Sequence, residues 1–357
     1  MTTTTGTRRL DFVLDPAHEA HEPPEASGRR RDHGRLLVSA GAAPPVDARF
    51  DAIGAFLAPG DLIVVNTSAT VPAALDGRLP NGEPIVVHLS GELPGAVALV
   101  EVRRPRDGTT VPLHLDPGTG APIVVELFGG GHVRLLTPFA DSTRLWVATL
   151  AIAPSVPAYL AEFGRPIRYR HVPHPWPVED YQTVFADEPG SAEMPSASRP
   201  FTPELVTGLV TRGVRFAPLL LHTGVSSLEG GERPYPERYR VPRDTAAMIN
   251  AVRADGGHVV AAGTTVVRAL ATVTDDRGVV HPGSGWTDVV VTPTTPMTAV
   301  DGLLTGWHEP ESSHLMMLEA FAAHEVLADA YATALALGYR WHEFGDSHLI
   351  LRARTSR

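Results

Sequence analysis

Residues 256–270, Gly-Gly-His-Val-Val-Ala-Ala-Gly-Thr-Thr-Val-Val-Arg-Ala-Leu, constrain the fold of this chain more than any other stretch. The apolar run at 259–262 has the length of a buried strand and is too short for a helix. Gly263-Thr264-Thr265 interrupts it, and residues 266–271 start a helix with Thr264 or Thr265 as the expected N-cap. A strand that turns directly into a helix presents unpaired backbone N–H groups and a positive dipole end. A carboxylate, a phosphate or a sugar hydroxyl fits such a junction. Arg268, in the expected first turn, adds a forked cationic donor. Taken alone, the stretch is equally compatible with a turn that binds nothing.

Strands and helices alternate around it. Thr202-Pro203-Glu204 opens a helix with Thr202 as cap and Pro203 in the first helical position, and Gly213 ends it. A strand at 214–222 follows, then a helix at 244–254 closed by Gly256-Gly257. Beyond the central junction the pattern predicts a strand at 289–291 and helices at 313–323 and 326–337, the last ended by Gly338. Towards the N-terminus, 10–14, 35–38 and 61–65 read as strands and 50–57 as a short amphipathic helix stopped by Pro59-Gly60. Residues 1–9 read as a disordered polar tail. This alternation predicts an α/β layer architecture.

Between residues 69 and 153 the texture changes. Short β-rich runs at 84–89, 96–102, 123–128, 132–136 and 144–150 are separated by turn chemistry such as Asn81-Gly82 and Gly129-Gly130-Gly131. That spacing suggests a small all-β barrel or sandwich. The expected organisation is a larger mixed α/β domain built from 10–68 and 154–357, with 69–153 inserted as the β-domain. Residues 154–180 read as a proline-rich connector in which Arg165, Arg168, Arg170, His171 and His174 interleave with Tyr169 and Trp176. Such a segment either grips a nucleic-acid strand or packs over the domain seam. His171 and His174 lack a third ligand nearby, so no metal site is expected.

Composition removes several chemistries. The chain has 357 residues and no cysteine, which excludes disulfides, thiolate metal sites, iron–sulfur clusters and cysteine nucleophiles. It has no lysine either, so all 30 basic residues are arginine and no Schiff-base lysine exists. The net charge of −10 argues mildly against non-specific nucleic-acid binding. No apolar run approaches the roughly 20 residues of a membrane span. The first residues lack the apolar core of a signal peptide, so the chain is expected to be cytoplasmic. The short signatures of α/β-hydrolases, zinc proteases, P-loop and dinucleotide-binding enzymes are missing from the sequence.

Read in order, six segments resemble the S-adenosylmethionine:tRNA ribosyltransferase-isomerase family of queuosine biosynthesis. They are Pro59-Gly60-Asp61-Leu62-Ile63-Val64-Val65-Asn66, Tyr181-Gln182-Thr183-Val184-Phe185-Ala186, Gly256-Gly257 through Arg268, Gly285-Trp286-Thr287-Asp288, Asp301-Gly302-Leu303-Leu304-Thr305 with His308, and Gly345-Asp346. The resemblance runs from about residue 10 to 350. It implies an α/β domain built from both chain ends with a β-barrel inserted after Asn66. It also implies a reaction in which the ribosyl part of S-adenosylmethionine moves to 7-aminomethyl-7-deazaguanine in a tRNA anticodon. There it rearranges to an epoxycyclopentanediol, with release of adenine and methionine. S-adenosylmethionine and tRNA are thus the expected partners, with no metal. A general base is needed because the sulfonium acidifies the adjacent ribose C–H. His222 and His308, each beside a matching segment, are the candidate catalytic residues, and an ordinary core or surface histidine fits each equally well. Gly263, Thr264, Thr265 and Arg268 are the candidates for holding the sugar or the methionine carboxylate. Asn66, Tyr181, Gln182, Ser196, Arg168 and Arg170 are the candidate substrate contacts.

The chain departs from the family at several of these places. The family's Pro-Thr-Ala-Gly-Leu-His-Phe-Thr is here Pro195-Ser196-Ala197-Ser198-Arg199-Pro200-Phe201-Thr202, so Ser198 replaces a glycine and Pro200 a histidine. Residues 221–228 lose a glycine and an aromatic, 229–240 lack a His/Glu pair, and 66–74 lose an acid and two arginines. Weak family activity is therefore one expectation. A scaffold turned to another acceptor, or a binding protein without catalysis, are the other readings compatible with the sequence.

Overall fold

The structure is a computed structural model that describes residues 10, 12–95, 97–106, 108–117, 122–140, 142, 144–225, 235–310, 312 and 314–354. The expected disordered tail at 1–9 and part of the 229–240 loop lie outside them. The N-terminal part supplies strands β1 (Arg35–Ala40), β2 (Val46–Arg49), β3 (Leu62–Asn66) and β4 (Ser68–Thr70). Then come β5 (Ala74–Arg78), β6 (Pro84–Leu93), β7 (Val97–Arg106), β8 (Thr109–Pro112), β9 (Ile123–Leu127), β10 (His132–Pro138) and β11 (Leu145–Ala151). Helix α1 (Val156–Phe163) leads to β12 (Glu188–Ser191), α2 (Pro203–Thr211), β13 (Arg215–Leu221), β14 (Glu237–Val241) and α3 (Arg243–Ala254). The C-terminal part is β15 (Val259–Ala262), α4 (Thr264–Val273), β16 (Gly283–Thr287), β17 (Gly302–Gly306), α5 (His314–Leu318), α6 (His324–Leu337) and β18 (Ser347–Leu351).

A nine-stranded sheet runs in the order β16-β14-β13-β3-β15-β17-β18-β1-β2. Its centre, β13-β3-β15-β17, is parallel throughout. Alternation along the central strands explains why both faces are covered. Leu62, Val64, Val259 and Ala261 pack against α3, α4 and α6 on one face, while Ile63, Val65, Val260 and Ala262 pack against Phe50, Phe201 and Leu209 on the other. A parallel sheet buried on both faces needs such continuous apolar runs.

The strands β5 to β11 form a second sheet, in which β11-β10-β9-β5-β6-β7 is antiparallel and β7 pairs back onto β11 to close six strands into a barrel. The first half of β7 makes that closure, while its second half pairs with β8, so the β7–β8 hairpin extends past the barrel. The inserted barrel expected from the turn spacing is thus observed, and the sandwich reading is excluded.

Several local expectations are corrected. The described part of 10–14 is not a strand; Leu10 instead packs into the core beneath α6, with Phe12 against Tyr331. The 50–57 helix is a 3-10 helix over Phe50–Ala55. The connector contains α1, capped by Ser155, where Pro157 sits harmlessly in the first turn. The strand at 289–291 is absent; the edge strand is the glycine-rich β16, whose Gly283 and Gly285 let it lie against Tyr239 of β14. Helix 313–323 shortens to α5.

Candidate active site

In a parallel sheet every strand ends at the same edge, and ligands bind in the crevice beyond those carboxyl ends. Here β13, β3, β15 and β17 end at Leu221, Asn66, Ala262 and Gly306. The barrel leaves the sheet directly after β3 and β4, so it stands over that edge. Between the two lies a cleft of about 630 Å³. Its floor includes Gly263, Thr264, Thr265 and Thr305, and its far wall includes Thr110 and Val111 of the β7–β8 hairpin.

The β15–α4 junction forms as expected, with one change. The helix begins at Thr264 and its N-cap is Gly263, with φ 107° and ψ 152° and no side-chain cap. Neither threonine caps: the cap position falls on Gly263, whose positive φ is open to glycine. The Thr264 and Thr265 N–H groups have no acceptor among the described residues, and both residues line the cleft.

The earlier helix start puts Arg268 in the second turn. Its Nε donates to the Val289 carbonyl at 3.1 Å, Nη2 to the Thr287 carbonyl at 3.2 Å, and Nη1 to Glu237. It borders a small side pocket of about 100 Å³ that shares Thr264 and Thr265 with the cleft. The guanidinium holds β16 and β14 to α4 while it borders that side pocket.

Of the two candidate histidines, His308 lines the cleft and His222 does not. His308 Nε2 shares a hydrogen bond of 2.9 Å with Thr305 Oγ1, and its ring stacks on His314 at 4.7 Å, 16° from parallel. Burial, then the neighbouring His314 and His348, push its pKa well down, so the imidazole is neutral. Burial likewise takes His314 down to about 4. His222 Nδ1 bonds Ser68 Oγ at 2.7 Å, and Ser68 in turn bonds Ser191 at 2.6 Å. His222 therefore ties β13 to the β4–β12 pair beside the barrel, bordering a separate pocket of about 110 Å³.

The candidate substrate contacts divide in the same way. Tyr181, Ser196 and Arg170 line the cleft, and the Tyr181 hydroxyl is buried with no hydrogen-bond partner among the described residues. Asn66, Gln182 and Arg168 do not. The fully buried Asn66 amide accepts from Ser68 N and Leu221 N and donates to the Leu221 carbonyl at 2.7 Å, which locks β3 to β13. Gln182 pairs with both backbone groups of Thr70, at 3.0 and 2.8 Å, as a neighbouring strand would. Arg168 is spent on the carbonyls of Val172, Pro173 and Gly108, which pins the connector to the barrel hairpin. The sequence departures at 198–200 lie behind the cleft wall. Ser198 is fully buried, and Arg199 bonds Glu25 at 3.0 Å and the Asp180 carbonyl at 2.9 Å.

Sequence reasoning missed the opposite end of the cleft, where Glu19, His171, Glu309, His342 and Glu343 meet. His171 Nε2 bonds Glu343 at 2.6 Å, and its ring stacks on His342 at 3.7 Å. These residues come from four distant parts of the chain, and no spacing announces them. The positive φ of His342, 74°, is a local oddity that only the backbone reveals. Among the described residues no three His, Asp or Glu side chains converge in a metal-binding arrangement.

Sheet, barrel and cleft together define an α/β protein with a cleft at the carboxyl edge of a parallel sheet, under a β-barrel. The chain belongs to the queuosine biosynthesis protein family, whose profile matches residues 7–350. It is 36% identical to the S-adenosylmethionine:tRNA ribosyltransferase-isomerase of Moorella thermoacetica, over 96% of this chain and 98% of that protein. It is 34% identical to the protein of the same name from Thermus thermophilus, over 94% and 99% of the two chains. The crystal structure of S-adenosylmethionine tRNA ribosyltransferase from Thermotoga maritima aligns with a TM-score of 0.52 at 28% identity, over 96% of this chain and 99% of that one.

Proposed function

We propose that this protein is a cytoplasmic transferase that moves the ribosyl moiety of S-adenosylmethionine onto 7-aminomethyl-7-deazaguanine in tRNA and isomerises it. The observation that carries the reading is the cleft itself. One cavity joins the free N–H groups of α4, the neutral imidazole of His308 and a wall from the barrel. Its volume, about 630 Å³, lies in the range of sites for nucleoside-sized ligands. The near full-length identity to enzymes of this name supports the same reading.

In this reading the N–H groups of Thr264 and Thr265 hold the methionine carboxylate or a ribose hydroxyl. His308, uncharged at neutral pH, is placed to take the proton lost beside the sulfonium, with Thr305 fixing its ring. Segments 10–68 and 154–357 carry this machinery, and 69–153 forms the roof. Arg170, exposed at the cleft and without a partner among the described residues, is placed to meet an RNA phosphate.

The test is incubation with adenine-labelled S-adenosylmethionine and an anticodon stem–loop carrying the aminomethyl base. RNA-dependent adenine release is expected, with turnover of His308→Gln lower by about 10²–10⁴. Binding without adenine release on any acceptor would leave a binding protein and remove the transferase reading. Release on a different acceptor would remove only tRNA.

A further inference from the structure

The wall between the cleft and its side pocket carries a histidine with no part in the proposed reaction. Thr223, Thr264, Thr265 and His314 line both cavities. His314 begins the short helix α5, whose Leu315, Met317 and Leu318 are buried and anchor it in the core. Ser312 Oγ holds the ring by Nδ1 at 3.0 Å and accepts the His314 N–H at 3.3 Å. The ring so fixed stacks on His308, with centroids 4.7 Å apart and planes 16° from parallel. His308 lines the cleft but not the side pocket, so His314 stands between them.

The groups around this pair add no competing charge to it. His308 packs against Thr305 of β17, His348 of β18 and Tyr331 of α6. Burial takes His348 down to about 3 and pushes Tyr331 up, so both are uncharged at neutral pH. Glu309, next in the chain, is 64% exposed and lies 3.9 Å from His342. On its other side His314 faces Arg268, whose guanidinium is paired with Glu237. Burial first, then the Arg268 charge, takes His314 to about 4, so it covers His308 as a neutral ring. Burial is also the largest cause of the low pKa of His308, and a ring stacked on one face is part of that burial.

We propose that His314 is a positioning residue for His308, shielding one face of its imidazole from water and fixing that ring at the cleft. The inference rests on His308 as the proton acceptor of the proposed reaction. Replacing the ring by a methyl group opens that face to the side pocket, where water solvates the charged form. The His308 pKa then rises towards the ordinary imidazole value of about 6.5. A flat apolar ring in the same place keeps the water out.

The test follows the His308 imidazole by ¹⁵N NMR through a pH titration of wild type, His314→Ala and His314→Phe, with the signals assigned by their loss in His308→Gln. Wild-type His308 is expected to titrate well below 6.5, His314→Ala to bring it close to that value, and His314→Phe to return it to the wild-type position. Equal midpoints in wild type and His314→Ala overturn the proposal. So does a midpoint in His314→Phe as high as in His314→Ala, because any ring should shield. A wild-type midpoint at or above the ordinary value overturns it without reference to either variant. Adenine release then links the shielding to the reaction. Relative to wild type, the rate of His314→Ala should fall by about fourfold between pH 8 and pH 6, since about three-quarters of an imidazole with a pKa of about 6.5 is protonated at pH 6. A shifted midpoint without that fall keeps the shielding and removes His308 as the proton acceptor.

Discussion

Arg268 of α4 and Glu237 of β14 form a buried ion pair, and the same carboxylate accepts the Gly224 N–H at 2.8 Å. The residue best placed by sequence to hold a ligand thus also holds β14 and β16 to α4. Removing one member of a buried pair strands the other charge, at a cost of about 3–5 kcal/mol. Arg268→Ala should lower stability by that order, and Arg268→Met with Glu237→Gln should recover most of it. Urea unfolding of the three proteins checks this; equal losses in the single and double variants would show that the pair is not the relevant contact.

Thr264 is the first residue of α4, a position where proline fits, and the ψ of Gly263, 152°, lies in the range that a following proline accepts. Thr264→Pro therefore deletes one N–H at the cleft while leaving the helix in place. S-adenosylmethionine affinity should fall by about tenfold or more if that N–H meets an anionic group. Thr264→Val, which keeps the N–H, should bind as the parent does. Calorimetric titration of both variants decides it.

The His171–Glu343 pair gives a pH signature. The folded protein holds His171 above its ordinary value, so this contribution is fully present below about pH 6.5 and is lost as pH rises through the folded value. Glu343 is held below its ordinary value despite burial, so it stays ionised at both pH 6 and pH 8. Glu343→Gln should thus destabilise by about 1.5–3 kcal/mol at pH 6 and by less at pH 8. Unfolding at the two pH values measures the difference, and a larger loss at pH 8 would contradict the assignment.

At the barrel seam, Glu101 accepts from Arg103 at 2.6 Å and from Arg144 at 2.7 Å, with His88 3.4 Å away. Val100 and Val102 point into the barrel, so Glu101 and Arg103 lie on its outer face, buried against the rest of the protein. Burial alone would raise the Glu101 pKa, but His88 and the two arginines carry it down to about 2. Its stabilisation is present above about pH 4.5 and fades as pH falls through about 2. Arg103 also bonds Thr110 of the cleft hairpin, at 2.7 Å to Oγ1. Glu101→Gln should cost about 3–5 kcal/mol in chemical denaturation.

Local chemistry made much of the fold legible. Thr202-Pro203 starts α2 as its cap geometry requires, since Leu205 N donates to Thr202 Oγ1 at 3.2 Å. Gly338, left-handed at φ 73°, ends α6. Where tertiary packing overrode local pattern, the reading failed. The valines at 289–291 look like a strand, but the Val289 carbonyl is taken by Arg268 and the sheet edge goes to Gly283–Thr287. The candidate site was legible at Gly263, Thr264, Thr265 and His308, which adjoin strand ends that the apolar runs betray.

By itself, the sequence determined the order of strands and helices, the β-rich insertion and the family resemblance, because these rest on apolar periodicity and turn residues read along the chain. Only the tertiary structure decided which polar side chains face the cleft. Asn66, Gln182, Arg168, Arg268 and His222 are drawn into bonds with neighbouring segments. Glu19, His171 and His342 meet because the parallel strands end at one edge and the distant connections between them gather there. A hydrogen bond depends on distance in space, and periodicity along a chain carries no record of it.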